Sequence, residues 1–305
     1  MKDFEGRTAF VTGGANGVGI GIVRNLLNAG VKVAIADIRQ DAIDKALASL
    51  DNREVMGVQL DVADRAGYKA AADKVEAEFG PVSMLFNNAG INLFQTIEDS
   101  SYDDWDWVMG VNLNGVINGV ATFAPRMKDR ALSGEVKGGQ IVNTASMAAF
   151  IAGPVPGIYN TAKFAVRGLS YSLRYSMAKY GIGVSMVCPG LVKSHIYASD
   201  DVRPEALKGE MQAVDEKAVE RLAGLHEFGM EPDVIGERIL EGIRNNQMHI
   251  FPHPEHKDEV RELAEEVLED FHDYPEDPGY EKRIGFENMR RNSFAETRAK
   301  ARALK

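Results

Sequence analysis

An α/β fold, doubly wound around a seven-stranded, mostly parallel sheet flanked by helices, is what this sequence predicts. Three observations carry it. Short β-branched runs alternate with longer stretches of helical period, a glycine-rich turn follows the first run, and an acidic residue closes the second. The runs read as strands at 8–12, 31–36, 54–60, 82–87, 140–145, 183–188 and 248–251. They are nearly continuous in apolar residues, as strands covered on both faces are. Helices fill the gaps, and SYDDWDWVMGVNLNGVINGVATFAPRM reads as the longest. It opens on Ser101 with Asp104 three residues later, a capping box with Asp in place of Glu. Right-handed crossovers then place any ligand crevice at the carboxyl ends of the strands. One domain is expected over residues 1–251, followed by a charged, partly helical extension over 252–305 in which Leu263, Val267 and Phe271 keep helical spacing.

A chain of 305 residues with 45% hydrophobic content buries a large core. No run approaches the ~20 apolar residues of a membrane span, and the start MKDFEGRTAF is too polar for a signal peptide. A soluble, cytoplasmic protein is expected. The single cysteine, Cys188, lies in the apolar run VSMVCPG and reads as a small buried hydrophobe in a reducing compartment. A formal charge of −10 and a pI near 5.2 disfavour nucleic acid and anionic membranes as partners.

The turn VTGGANGVGIGI places Gly13, Gly17 and Gly19 between strand and helix, with Asn16 and Val18 among them. Missing side chains let backbone amides and the helix N-terminus approach a pyrophosphate, the Rossmann-like arrangement. Asp37, 18 residues past Gly19, ends the second strand, where a carboxylate accepts from both ribose hydroxyls of NAD and repels a 2′-phosphate. Its neighbour Ile38 is neutral, so NAD is expected ahead of NADP, which Arg39 keeps open.

Further along stand NNAG (87–90), VNLNG with Asn112, NTASMAAF with Ser146, the pair Tyr159 and Lys163 in IYNTAKFAV, and the PG pair Pro189 and Gly190. This ordered set resembles the short-chain dehydrogenase/reductase family over about residues 7–194. The resemblance implies that Tyr159 is the general base and that Ser146 holds the substrate oxygen. It assigns Lys163 to the nicotinamide ribose and to lowering the phenol pKa, and Asn112 to a helix distortion that binds a relay water. It further implies that Asp61, Val62, Asn88, Ala89, Gly90, Pro189, Gly190, Val192 and Ser194 touch the cofactor. The chemistry demands such a set: a phenol of pKa near 10 is a poor base at neutral pH until a nearby positive charge favours phenolate. The i, i+4 spacing of Tyr159 and Lys163 aims both heads into one crevice.

His249, His253 and His256 do not read as a metal site, because Pro252 and Pro254 break any helix that would align them. Trp105 and Trp107 are too close to share a helix face, so one is expected in the core. Phe94, Met147, Phe150, Ile151 and Ile196 are expected to form the substrate wall, drawn from 92–96, from the stretch before Tyr159, and from residues 191 to about 230. A secondary alcohol or ketone with an apolar or aromatic body fits such a wall, and the long helix and the extension are similar to those of bacterial Cα-dehydrogenases of lignin-type aryl ethers. A non-catalytic NAD-sensing protein and an epimerase or dehydratase of the same family are the alternatives. The first usually lacks the Tyr or Lys, and the second tends to carry a GxxGxxG turn. Leu169, Leu173 and Met177 recur beyond what one sheet face needs, so a homo-oligomer, tetramer or dimer, is expected.

Overall fold

The computed structural model describes residues 1, 3–51, 54–209, 216–275 and 277–304. Seven strands form one sheet: β1 (Thr8–Thr12), β2 (Lys32–Asp37), β3 (Val55–Gln59), β4 (Val82–Asn87), β5 (Gly139–Thr144), β6 (Ile182–Val187) and β7 (His249–Ile250). Their order is β3-β2-β1-β4-β5-β6-β7, and every pairing is parallel. The order reverses between β1 and β4, which opens a crevice beyond the carboxyl ends of those two strands.

The pleat divides the core. On β1, Val11 packs on one face with Ile22, Leu26 and Ile239. Its neighbour Phe10 packs on the other with Tyr68 and Phe123, ring centroids 5.0–6.3 Å apart. The first face is covered by α1 (Gly17–Asn28) and α8 (Pro232–Arg244), and the second by α3 (Arg65–Phe79) and α5 (Gly115–Ser133). Helices α2 (Gln40–Ala48), α6 (Gly157–Met177) and α7 (Glu216–His226) complete the wrap.

The longest predicted helix is not one helix. It divides into α4 (Tyr102–Met109), a π-turn over Gly110–Asn114, and α5. The capping box is present: the Ser101 hydroxyl accepts from the Asp104 amide at 3.2 Å while the Asp104 carboxylate accepts from the Ser101 amide at 2.8 Å. Trp107 is buried and Trp105 is half-buried. Cys188 is buried and free, and burial pushes its thiol up to about 12, which makes it an inert hydrophobe.

Leu169, Leu173 and Met177 turn inward, Leu169 against Val166 and Met186 and the other two against the core around Ile182, so they do not mark an outer pairing face. Pro252 and His253 are buried, and the exposed extension begins only with α9 (Lys257–Glu269) and continues into α10 (Tyr280–Ala303). Near its end the Ala301 carbonyl accepts from Asn246 Nδ2 at 2.9 Å and from the buried Arg174 guanidinium at 3.3 Å. Among the described residues no helix is long and apolar enough to cross a membrane.

Candidate active site

The crevice at the β1/β4 reversal has a volume of about 670 Å³. Its nucleotide end is the turn from β1 into α1. Gly13 and Gly17 have φ of +59° and +50°, a left-handed backbone that glycine adopts without strain. Gly19 is not part of the wall. It lies under the turn, where a Cβ would stand 1.9 Å from the Gly13 carbonyl oxygen, so its role is to let the helix start close beneath the turn. Asn88 fastens the turn to β4, its Nδ2 donating to the carbonyls of Thr12 and Gly13 at 3.1 and 3.2 Å. The Thr12 hydroxyl accepts from the Asn88 and Ala89 amides at 2.9 and 3.1 Å.

Asp37 stands at the end of β2, nearly buried, accepting from the amides of Arg39 and Ala15 at 3.2 and 3.4 Å. Burial raises its pKa and those amides pull it back. Ile38 and Arg39 line the same mouth, followed inward by Asp61, Val62, Ala89 and Gly90, with Val18, Pro189, Gly190, Val192 and Ser194 opposite the sheet end. Two observations fit a dinucleotide here: Asn16 Nδ2 is buried beside the glycine turn with no partner, and the turn backbone is bare of side chains.

At the chemical end, α6 places Tyr159 and Lys163 one turn apart. Lys163 is 3% exposed, donates from Nζ to the Thr144 carbonyl at 3.0 Å, and lies 5.2 Å from the centre of the Tyr159 ring. Burial pulls its ammonium down to about 8. Burial also pushes the Tyr159 phenol up, and the Ser146 hydroxyl hydrogen-bonded to it pulls it back. The expected lowering of the phenol is therefore not produced by the chain's own groups alone. Ser146 is oriented by the Ala148 amide, which donates to its Oγ at 3.1 Å, while Oγ donates to the Pro189 carbonyl at 3.4 Å.

Asn112 sits in the π-turn but does not face the crevice. Its side chain is fully buried and spent on Ile91, Nδ2 donating to the Ile91 carbonyl at 2.8 Å and Oδ1 accepting from the Ile91 amide at 2.9 Å. That clamp holds the segment after β4 that carries Gly90.

Of the expected substrate wall, Phe94 and Ile196 line the crevice. Met147, Phe150 and Ile151 do not. They pack into a separate cluster with Val166 and Met186, and Phe150 is drawn away by Arg167, whose guanidinium lies 4.0 Å over its ring, and by Phe251 at 5.3 Å. The wall is instead completed by Ile91, Trp107, Pro156, Val202, Leu207 and Leu225. Part of the expected stretch from 191 to 230, residues 210–215, lies outside the described residues.

Two further contacts shape the site. His253 reaches from beyond β7 to the PG loop: its Nδ1 accepts from the Gly190 amide at 3.0 Å, and its Nε2 donates to the Leu191 carbonyl at 2.9 Å. Holding one acceptor and one donor fixes the neutral tautomer, and burial lowers its pKa in agreement. His249 is likewise spent, paired with the Tyr171 hydroxyl at 2.7 Å. The second contact is a buried ion pair. Arg203 meets Asp104 at 2.7 Å, lies 4.8 Å over the Trp107 ring, and donates to the Leu207 carbonyl at 2.7 Å. It thus ties the segment carrying Ile196, Val202 and Leu207 to α4. Removing one member of such a pair strands a buried charge, at about 3–5 kcal/mol. Arg203→Leu is expected to raise the KM for substrate at least tenfold with a smaller change in kcat and an unchanged Kd for NAD, measured by steady-state kinetics and titration.

The geometry agrees with what is found among known proteins. The profile described as short chain dehydrogenase matches residues 7–203. A C alpha-dehydrogenase of Sphingobium sp. is 39% identical over 281 residues, 91% of this chain and 90% of that protein. A solved structure from Novosphingobium aromaticivorans superposes with a TM-score of 0.88 at 62% identity, covering 99% of this chain and 100% of the other. Another, a short chain dehydrogenase/reductase from Burkholderia phymatum in complex with NAD, does so at 0.83 and 33% identity, covering 91% and 100%. A glycine turn and a Tyr, Lys and Ser set facing one crevice, together with these matches, lead to one conclusion: the chain belongs to the short-chain dehydrogenase family of oxidoreductases.

Proposed function

We propose that the protein is an NAD-dependent dehydrogenase that interconverts a secondary alcohol, apolar or aromatic in its body, with the ketone. The observation that carries this reading is the convergence of Tyr159, Lys163 and Ser146 on the crevice that begins at the glycine turn. Bound NAD supplies the hydride acceptor and a positive nicotinamide charge. Glycines 13 and 17, Asn16 and Asp37 would hold its phosphates and adenine-side ribose, and Lys163 its other ribose. Ser146 Oγ orients the substrate oxygen. Tyr159 Oη would take the hydroxyl proton, and with NAD bound as hydride acceptor the alcohol would become ketone, with NADH and a proton as the other products. Ile91, Phe94, Trp107 and Leu207 exclude water from the rest of the substrate. The similarity to a Cα-dehydrogenase supports an aryl-substituted carbinol, and the presence of both Tyr159 and Lys163 disfavours a cofactor sensor without turnover.

NAD is the expected cofactor because a carboxylate at the end of β2, Asp37, would repel a 2′-phosphate on the adenine-side ribose. Wild type is expected to favour NAD over NADP at least tenfold in kcat/KM, about 1.4 kcal/mol, and Asp37→Ala to erode that ratio. Screening NADH formation over aryl, alkyl, sugar and steroid secondary alcohols tests the reading. No turnover with any of them, at a measured NAD affinity, would sink it in favour of cofactor sensing.

A further inference from the structure

The sheet closes onto the PG loop through a side chain. Strand β6 and the residues after it give alternate amides to the β7 side, Met186 to the Met248 carbonyl at 2.7 Å and Cys188 to the Ile250 carbonyl at 2.9 Å. The next donor in that row is Gly190, and the next acceptor would be the Pro252 carbonyl. That carbonyl accepts instead from the Arg238 guanidinium of α8, and among the described residues the Gly190 amide meets no backbone carbonyl. The last rung is made by His253, whose Nδ1 takes the Gly190 amide at 3.0 Å while its Nε2 donates to the Leu191 carbonyl at 2.9 Å.

This rung bears on the site. Pro189, Gly190, Leu191 and Val192 all line the crevice, and the Pro189 carbonyl accepts from the Met147 amide at 2.9 Å and from Ser146 Oγ at 3.4 Å. One short loop therefore serves both the crevice wall and the seat of Ser146. The two histidines after β7 also require glycine in it, since a Cβ at Gly190 would stand 2.7 Å from His256 Nε2 and 3.1 Å from His253 Cγ.

The rung holds in one protonation state only. An imidazolium carries a proton on both nitrogens, so Nδ1–H would face the Gly190 N–H across 3.0 Å, two donors with no acceptor between them. The charged and titratable groups that face the ring are Glu255 and His256 from the turn that follows it and Arg238 from α8. Glu255 and the Leu191 carbonyl favour the charged ring, while burial, His256 and Arg238 oppose it, and the balance lies with the neutral form. His226 also reaches the loop, but it donates from Nδ1 to the Val192 carbonyl at 2.8 Å, a bond that a second proton leaves intact.

We propose that His253 is a positioning residue for the cofactor: its neutral ring fixes the PG loop at the chemical end of the crevice, and its protonation in acid releases the loop and weakens NAD binding. The inference rests on the NAD reading of the crevice. Calorimetric titration of the full chain with NAD, without substrate, from about pH 8 to about pH 5 tests it. Wild type should bind about tenfold more weakly at the acid end. His253→Asn, whose Oδ1 can keep the Gly190 amide and cannot titrate, should bind within about threefold of wild type at neutral pH and lose most of the acid weakening. His253→Phe fills the space without either bond and should bind about tenfold more weakly already at neutral pH. Asp37 titrates toward the cofactor too, but it does so in all three proteins, so the difference between the profiles belongs to His253. A wild-type affinity that is flat in pH would overturn the inference. So would acid profiles that coincide in wild type and His253→Asn, or a His253→Phe protein, folded by circular dichroism, that binds as wild type does. Each of these leaves the cofactor reading standing, whereas wild type that binds no NAD at any pH would sink that reading and this inference with it.

Discussion

Tyr159→Phe is expected to lower kcat by about 10² or more while leaving the Kd for NAD within twofold. The substitution removes one atom, Oη, from a side chain already 9% exposed and packed, so neither the fold nor the nucleotide end is disturbed. What it removes is the hydroxyl that the proposed reaction uses to take the alcohol proton: Ser146 has a far higher pKa, and Lys163 is donating to Thr144. Stopped-flow NAD binding and steady-state NADH formation separate the two quantities. Full activity in the variant would show that the phenol is a bystander.

Lys163→Met is expected to cut turnover near neutral pH by about 10² or more and yet stabilise the free protein. Burial lowers the Lys163 pKa from 10.5 to about 8, so the folded chain carries its charge at neutral pH at a cost of about 3 kcal/mol. The sign follows from proton counts. Between pH 8 and 10.5 the unfolded chain binds more protons at this residue than the folded one, so stability rises with pH across that window, and below it the full cost is present. Methionine keeps the length and loses the charge, at the expense of the bond to the Thr144 carbonyl, worth about 1 kcal/mol. The net gain is about 2 kcal/mol near pH 7, a rise of several degrees in Tm, and it shrinks as pH passes 8. Thermal unfolding without NAD measures both. A variant less stable than wild type at pH 7 would show that the charge is not buried as described. In the proposed reaction that cost has a function, since a buried cation would favour phenolate at Tyr159 and hold the ribose.

Much of this was legible in the sequence because the strands are parallel and covered on both faces. Continuous runs such as VSMLFN and VKVAIA need no partner to be recognised, and the observed ends differ by a residue or two. The nucleotide turn was legible because glycine is demanded by backbone geometry. The π-turn at Gly110–Asn114 was not legible from the apolar pattern, which a wider hydrogen-bond ring leaves almost intact; only the resemblance implied a helix distortion at Asn112. Nor could local sequence show that Phe150 turns from the crevice, since Arg167 and Phe251 draw it away from distant segments. The same holds for Arg203 with Asp104 and for His253 with Gly190, contacts made only when remote segments meet. A signal existed for the histidine: His253 stands between two prolines just after the last strand, close to the sheet end where the PG loop lies.

The most direct test of the account is the pH dependence of kcat/KM for alcohol oxidation with NAD, compared between wild type and Lys163→Ala. Burial alone would hold the Tyr159 phenol above its ordinary value, so activity near neutral pH requires the positive charges around it. The account predicts that wild-type activity rises through an apparent pKa well below ~10 and that the residual activity of the variant rises through one at least a unit higher. Profiles that coincide would contradict it, because the lysine would then have no hold on the base.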